Sequence, residues 1–256
     1  TRKKMYITGG IGATHIGEAF SFNYDLPNDT AYAETCASIG LVFMARRMLE
    51  MTPDAKYADV MERALYNGVL SGMALDGKSF FYVNPLEVLP EACHKDERKF
   101  HVKPVRQKWF GCACCPGNVT RFMASVPSYA YATQQNDIYV NLYIQGKAEM
   151  QTADNKVTLE QTTEYPWNGK VTIKVTPEKE GEFAIRLRIP GWTKAAPIAS
   201  DLYAYTDAAK KYTLKVNGSA TRGAEGDGYE TIVRTWKAGD VIELEMPMKW
   251  KWTVEW

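Results

Sequence analysis

The chain has 256 residues, of which 31 are basic and 30 are acidic, so its formal net charge is only +1. A balanced charge offers no basic field that would attract nucleic acid, and we expect no nucleic-acid partner. Apolar residues make up 45% of the chain and charged residues 24%, which is typical of a globular protein. No apolar run approaches the roughly 20 residues that span a bilayer, so we expect no membrane association.

Both ends of the sequence favour a piece of a longer protein. The chain begins at Thr1 without an initiator methionine, and Trp250, Trp252 and Trp256 crowd its last residues. Clustered tryptophans require a partner surface, and no further sequence supplies one. We therefore expect a fragment, and leave its compartment (cytoplasm or periplasm) and its oligomeric state unassigned.

Residues from about 30 to 132 show the apolar periodicity of helices. The segment Glu34 to Met51 predicts a first helix, which Pro53 ends. Asp54 is placed to cap a second helix that runs to about Val69.

Two further features complete this helical half. Asp76-Gly77 predicts a hairpin turn before a strand-like segment, Phe80 to Val83. Pro116 suits the first turn of a third helix, over about residues 116 to 132, because its missing N–H is not needed there. The cysteines before Pro116 would then lie in the loop that enters this helix.

From about residue 137 the pattern changes to the period-two alternation of strands. Asn217-Gly218 and Ala238-Gly239-Asp240 supply turns. The predicted strands are residues 138–144, 171–175, 183–189, 212–216 and 241–246. Their spacing predicts an antiparallel β-sandwich. Residues 136–256 contain neither cysteine nor histidine, so we expect the chemistry in residues 1–135.

Three of the five cysteines, Cys112, Cys114 and Cys115, stand close together, about eighty residues after Glu34-Thr35-Cys36. Thiolates with one carboxylate form an acceptable tetrahedral zinc set, although neither pair matches a standard finger spacing. A structural zinc clip that joins the two segments is one interpretation. A disulfide between Cys36 and one of the three is another.

The Gly-rich segment from Thr8 to Phe20 carries His15 and Glu18. It is not a phosphate-binding fingerprint, because no strong strand precedes it and no Lys-Ser/Thr follows. It is either a tight turn with a solvated glutamate or part of a binding site. The polar and aromatic loop Asn23 to Asp29 is typical of surfaces that bind sugars, and His15 is a candidate for sugar contact or for tuning Glu18.

Four sequence strings together resemble glycoside hydrolase family 127, whose best-known members are β-L-arabinofuranosidases. They are GGIGATHIGEAF, DLPNDTAYAETCAS, FFYVNPLE and WFGCACCPGNVTR. IRLRIPGW and KAGDVIELEMPM are similar to the sandwich that follows the catalytic domain of that family. The resemblance implies a multi-domain α + β protein. Residues 1–135 would be the C-terminal portion of an (α/α)6 barrel of the six-hairpin glycosidase type, and residues 136–256 a β-sandwich.

The resemblance also implies a retaining glycosidase with a bound Zn²⁺. The implied metal ligands are Glu34, Cys36, Cys114 and Cys115. Cys114 would also be the nucleophile, because zinc deprotonates a thiol whose pKa is otherwise about 8.5. Glu18 would be the general acid/base, its protonated form favoured by apolar neighbours at Ile16, Phe20 and Phe22. Tyr82 would bind the sugar near the nucleophile.

The implied substrate is an oligosaccharide or glycan with a terminal β-L-arabinofuranosyl group or a related pentose. Members of the family are much longer, so we expect an incomplete pocket and little turnover from these residues alone. The alternative is a non-catalytic, zinc-clipped carbohydrate-binding module. A zinc hydrolase with metal-bound water is a weaker alternative, because the chain has only three histidines and no HExxH motif.

Other candidates have simpler interpretations. His94 and His101 are expected in or beside a solvated, charged loop, and Cys93 is expected to play no part in the chemistry. Trp109 and Phe110 could stack on a sugar or pack beside the cysteines.

Overall fold

The computed structural model describes residues 2–194, 201–205, 211–248 and 253–255. The three terminal tryptophans singled out in the sequence lie outside these residues. The described chain is a mixed α/β protein, with helices and loops up to Tyr129 and mainly strands thereafter. Within the described ranges, every helix is too short or too polar to traverse a bilayer.

The α-helices of the described residues are α1 (Thr35–Met51), α2 (Ala55–Ala64), α3 (Ala92–Lys95) and α4 (Cys114–Ser125). As predicted, the Asp54 side chain caps α2, accepting the backbone N–H of Lys56 at 2.9 Å. A π-helical turn (Leu65–Val69) and a 3-10 turn (Leu70–Gly72) extend α2. The predicted second helix therefore exists, but its last turns are not α-helical.

Helix α4 begins earlier than the sequence indicated. Cys114 and Cys115 are its first two residues, so the prediction that these cysteines precede the helix is wrong. Proline is tolerated throughout a first helical turn, and Pro116 therefore did not mark the first residue. The helix ends at Ser125, and a 3-10 turn, Val126–Tyr129, follows it in place of the α-helix predicted to about 132.

The segment Phe80 to Val83 forms isolated bridges rather than a regular strand. Phe80 pairs with Met73 and with Gln107, and Val83 pairs with Glu34. In addition, the backbone N–H of Thr35 donates to the carbonyl of Tyr82 at 2.9 Å. These pairings hold Tyr82 beside the start of α1.

Strands follow the helices. They are β1 (Tyr131–Gln134), β2 (Asp137–Val140), β3 (Gly146–Gln151), β4 (Lys156–Thr163), β5 (Lys170–Pro177), β6 (Gly181–Arg188), β7 (Tyr203–Tyr205), β8 (Thr213–Val216), β9 (Ser219–Ala220), β10 (Ala224–Gly226), β11 (Tyr229–Trp236), β12 (Asp240–Glu245) and β13 (Thr253–Glu255). The five predicted strands correspond to β2, β5, β6, β8 and β12. Asn217 and Gly218 have φ of 51° and 77°, as a tight β8–β9 hairpin requires.

The strands form two larger sheets, with orders β1-β2-β6-β11-β10 and β3-β4-β5-β12-β8-β9, and a small β13-β7 pair. One hydrophobic core contains side chains from both larger sheets, including Ile173, Ile185 and Trp236. The pair β2–β6 is parallel, so the expectation of a wholly antiparallel arrangement is wrong. Strands β3 to β5 lie between β2 and β6 in the chain and provide the long connection that a parallel pair requires. Strand β1 pairs with β2 across the predicted division at residues 135 and 136.

Helix α2 packs directly on the β6–β11 part of the first sheet. The fully buried Arg188 guanidinium donates a hydrogen bond to Asp59 Oδ1 at 2.6 Å and another to the Glu62 carboxylate. Gly228 has φ +80°, and a Cβ there would lie 2.5 Å from Ala55 Cβ. Only glycine therefore allows this approach, which fixes the helical part on the sheets.

Candidate active site

Four side chains from distant parts of the sequence converge where α1 and α4 begin. Glu34 precedes the first residue of α1, Cys36 lies in its first turn, and Cys114 and Cys115 open α4. Their ligand atoms all lie within 4.8 Å of one another. The Cys36 sulfur is 3.5 Å from both Cys114 Sγ and Cys115 Sγ, and these two sulfurs are 3.8 Å apart. Glu34 Oε1 lies 3.2 Å from Cys114 Sγ and 3.8 Å from Cys115 Sγ.

These separations fit a tetrahedral zinc ion. With Zn–S near 2.3 Å and Zn–O near 2.1 Å, the edges of such a tetrahedron are about 3.6–3.8 Å. Three sulfurs and one carboxylate are also donors that zinc accepts. All five cysteines, each within the described residues, are free, so the alternative of a disulfide at Cys36 is not formed.

Burial favours the protonated form of two thiols in this cluster, Cys114 and Cys115. Burial raises the pKa of the Cys114 thiol to about 12. Burial also raises the pKa of Cys115 well above its usual range, with the neighbouring Cys36 as the next cause. A divalent cation among these groups would reverse this preference, because its charge stabilises thiolates.

Tyr82 places its hydroxyl against the cluster. Its OH lies 2.9 Å from Cys114 Sγ. Burial, together with hydrogen bonds to Cys114 and Cys112, raises the pKa of Tyr82 far above its usual value, so the phenol stays protonated. Phe110 packs against Tyr82 with ring centres 5.5 Å apart and so restrains its position. A protonated phenol at this distance can donate to a thiolate sulfur.

Glu18 lies on a short 3-10 turn, Ile16–Glu18, within the Gly-rich segment. Its backbone has φ of 50° and its side chain is exposed. The carboxylate Oε1 accepts a hydrogen bond from Tyr32 OH at 2.8 Å. The apolar neighbours expected to enclose it do not do so. Ile16, Phe20 and Phe22 are 74%, 48% and 73% exposed. The expectation that these three side chains enclose Glu18 is therefore wrong.

His15 stacks on His101, with ring centroids 4.5 Å apart and an interplanar angle of 20°. The interpretation of His101 as part of a solvated loop is wrong. Its ring is half-buried beside Tyr32, and burial lowers its pKa. Sequence reasoning therefore missed Tyr32 and His101. The one available signal for Tyr32 was its place two residues before Glu34 in the string DLPNDTAYAETCAS.

The remaining candidates lie outside the four-residue cluster. Cys93 is buried in an apolar group with Tyr32, Val83 and Val102, against which Tyr82 packs, in keeping with a packing role. Cys112 is exposed. Trp109 is 63% exposed, whereas Phe110 packs against Phe80 and Tyr82.

Comparison with known proteins identifies the class. The profile of the β-L-arabinofuranosidase GH127 catalytic domain matches residues 1–128, and that of the GH127 middle domain matches residues 137–248. A non-reducing end β-L-arabinofuranosidase of Bifidobacterium longum subsp. longum is 40% identical over 251 residues, which are 96% of this chain and 35% of the relative.

Solved structures show the same likeness. A GH127 β-L-arabinofuranosidase from Geobacillus stearothermophilus T6 superposes with a TM-score of 0.87 at 50% identity, covering 97% of this chain and 37% of that one. A second structure, that of a GH127 β-arabinofuranosidase, gives a TM-score of 0.90 at 48% identity, covering 99% of this chain and 38% of that one. The chain thus spans little more than a third of the length of these relatives.

A glutamate–cysteine cluster in a mixed α/β chain with these relatives defines the class as the glycoside hydrolases. Within that class, the chain belongs to family GH127, the β-L-arabinofuranosidase family.

Proposed function

We propose that this chain carries the catalytic residues of a retaining glycoside hydrolase that releases terminal β-L-arabinofuranosyl groups, or a related pentose, from an oligosaccharide or glycan. The observation that carries the proposal is the convergence of Glu34, Cys36, Cys114 and Cys115 within 4.8 Å. The activities named for the relatives support the substrate class. In this proposal residues 1–135 are part of an (α/α)6 barrel and residues 136–256 form a β-sandwich.

The proposed cofactor is Zn²⁺, held by the same four residues. When bound, the ion supplies positive charge that favours the thiolate form of Cys114. Tyr82 OH, at 2.9 Å from Cys114 Sγ, donates to that sulfur and orients it toward the sugar. His15, stacked on His101 beside Tyr32, is the proposed contact to sugar hydroxyls.

The reaction proceeds in two displacements. In the first, the Cys114 sulfur bonds to the anomeric carbon while the glycosidic C–O bond breaks, and Glu18 gives its proton to the departing oxygen. In the second, the Glu18 carboxylate takes a proton from water, whose oxygen bonds to the anomeric carbon as the C–S bond breaks. Each displacement inverts the anomeric carbon, so the two together retain its configuration.

The first experiment measures zinc and thiols in the purified chain, in Glu34→Ala and in Cys36→Ser. We expect about one zinc per chain by atomic spectrometry, lost in both variants, and reactive thiols that appear when a chelator is added. Cys93→Ala is the matched control and should keep its zinc, because Cys93 lies in a separate cluster. A chain without zinc would leave the nucleophile without its activating charge and would contradict the proposal.

The second experiment traps the sugar. An aryl β-L-arabinofuranoside with a good leaving group is mixed with Glu18→Gln, in which the second displacement lacks its base. We expect the peptide that contains Cys114 to gain the mass of one pentosyl group. Zinc binding without any adduct would favour the alternative function, a zinc-clipped carbohydrate-binding module.

Because the chain spans little more than a third of its relatives, we further propose that the pocket formed by these residues alone is incomplete. Turnover by this chain should then be much slower than turnover by a longer chain that includes the preceding barrel helices. Equal rates on one aryl arabinofuranoside would contradict this point and leave the chemistry intact.

A further inference from the structure

Tyr32 contacts the proposed acid/base from a rigid position. Its side chain is only 9% exposed, and its hydroxyl donates to Glu18 Oε1 at 2.8 Å. The backbone N–H groups of Tyr32 and Ala33 both donate to the carbonyl of Gly12, at 3.1 and 3.0 Å. The segment that enters α1 therefore holds both the backbone of the Gly-rich loop and the carboxyl group that this loop carries.

Tyr32 also packs near the residue that contacts the proposed nucleophile. Its ring centre is 6.3 Å from that of Tyr82, whose hydroxyl reaches Cys114 Sγ at 2.9 Å. The His101 ring lies at 5.9 Å from the Tyr32 ring. These neighbouring rings and the burial of Tyr32 leave its hydroxyl little freedom, so it can restrain a partner that is itself exposed on a loop.

Glu18 needs such a restraint. An exposed glutamate on a short turn samples several rotamers, and proton transfer requires one of them. A tyrosine hydroxyl has a single proton, and here it is directed at Oε1. The oxygen that accepts this bond is not the one that carries the carboxyl proton, which leaves Oε2 for that proton.

We propose that Tyr32 is the positioning residue of the acid/base: it fixes the Glu18 carboxyl group and assigns the transferred proton to Oε2. In the second displacement the same O–H bond holds the carboxylate while Oε2 takes the proton from water. This inference rests on the proposed function, since it presupposes that Glu18 transfers a proton.

The kinetic test compares Tyr32→Phe with a matched control, Tyr212→Phe, in a zinc-loaded longer chain that includes the preceding barrel helices. Tyr212 also donates to a glutamate, Glu225 Oε1 at 2.9 Å, but does so in the sheet part of the molecule. Two β-L-arabinofuranosides are used: a methyl glycoside, whose leaving group must be protonated, and a 4-nitrophenyl glycoside, whose leaving group departs with little help. We expect kcat for the methyl glycoside to fall about 10-fold or more in Tyr32→Phe, and that for the aryl glycoside to fall much less.

The same comparison separates positioning from a merely structural role. Equal losses on both substrates would overturn the proposal, because a general disturbance does not distinguish leaving groups. In a Glu18→Gln background, adding Tyr32→Phe should cost nothing further on the methyl glycoside. A further fall in kcat in the double variant, as large as the fall caused by Tyr32→Phe alone, would also overturn the proposal. Tyr212→Phe should leave both rates close to wild type.

A second measurement requires no turnover. With glutamate labelled by ¹³C at the carboxyl carbon, the Glu18 resonance is identified by its absence in Glu18→Gln. We expect it to move in Tyr32→Phe and to stay in place in Tyr212→Phe; no movement in Tyr32→Phe would overturn the positioning role. If the longer wild-type chain turns over neither glycoside, the proposed function fails, and the resonance still decides whether Tyr32 holds Glu18.

Discussion

The cluster of Glu34, Cys36, Cys114 and Cys115 and the cluster around Arg188 treat buried charge in opposite ways. At the junction of α2 and β6, the buried Arg188 guanidinium is balanced by Asp59 and Glu62, and Tyr165 OH donates to Glu62 Oε1 at 2.8 Å. At the start of α1 and α4, one carboxylate and three thiols meet. Among the described residues, no basic side chain forms an ion pair with Glu34. The Arg188 cluster contains its own counter-charge. The cluster of one glutamate and three cysteines can hold ionised groups only when a cation from outside the chain binds there.

This difference separates a structural polar cluster from a functional one. Ion pairs that are complete within the protein stabilise the packing of two elements and need nothing else. Acidic groups that converge without a counter-charge cost free energy when ionised, and a bound metal ion removes that cost. The comparison predicts that variants in the Arg188 cluster change folding, and that variants near the cysteines change metal content or turnover.

The largest expected effect follows replacement of the proposed nucleophile. Cys114→Ala should lower turnover of an aryl β-L-arabinofuranoside by about 10⁴-fold or more, because no second group forms the bond to the sugar. The measurement is kcat in the most active form of the enzyme, with Tyr212→Phe, a change in the sheet part, as the control that retains turnover. A Cys114→Ala enzyme within tenfold of wild type would break the comparison, since the cluster would then be structural too.

Glu18→Gln tests chemistry outside the metal cluster. We expect kcat/KM for a methyl arabinofuranoside to fall by about 10²- to 10⁴-fold, because general acid catalysis is lost. Zinc content should stay at the wild-type value, since Glu18 is not one of the four ligands. Loss of zinc in Glu18→Gln would show that Glu18 and the four-residue cluster do not act independently.

Arg188→Ala tests the self-contained cluster. Removing the guanidinium leaves two acidic partners without their counter-charge and should lower the free energy of unfolding by about 3–5 kcal/mol. The matched control is Arg186→Ala, whose pair with Asp137 is exposed to 32% and 30% and should contribute only about 0–1 kcal/mol. Urea unfolding measures both. Equal losses of unfolding free energy in the two variants would mean that burial does not make the Arg188 ion pairs stronger than the Arg186 pair.

Chelation should give the smallest of these effects. A ligand that binds only the folded chain stabilises it by about 2.7 kcal/mol when its free concentration is 100-fold above its dissociation constant. Removing zinc from such a sample should lower the free energy of unfolding by that amount, measured in urea with and without chelator. Glu34→Ala should show no such difference. An unchanged wild-type midpoint would contradict a metal that links α1 to α4.

The sequence predicted the convergence of Glu34, Cys36, Cys114 and Cys115 better than the surroundings of Glu18. These four residues occur in two compact motifs, and helix α1 was evident from its periodicity and from Pro53. The contact between Tyr32 and Glu18 depends on positive φ angles at Gly12, Gly17 and Glu18, which no periodicity reveals. Likewise, the side chains expected to enclose Glu18 were inferred from their neighbouring positions in the sequence alone. In a turn, the side chains of adjacent residues point in different directions.

The strands show the same division between local and long-range information. Alternation located β2, β5, β6, β8 and β12, and the Asn217-Gly218 dipeptide located a hairpin, because each is a local property. The order of strands in a sheet depends on which distant segments meet. The parallel pairing of β2 with β6 is the clearest case, since three strands of the other sheet separate them in the chain.

The close contact of Gly228 with Ala55 has a consequence for protein engineering. Any larger residue at either position would push α2 away from the sheet, and the bonds from Arg188 to Asp59 and Glu62 cross the same junction. The sheet part is therefore a poor candidate for exchange between homologous enzymes unless these five residues are transferred together. A chimera joined between residues 135 and 136 would take Ala55, Asp59 and Glu62 from one enzyme and Arg188 and Gly228 from the other.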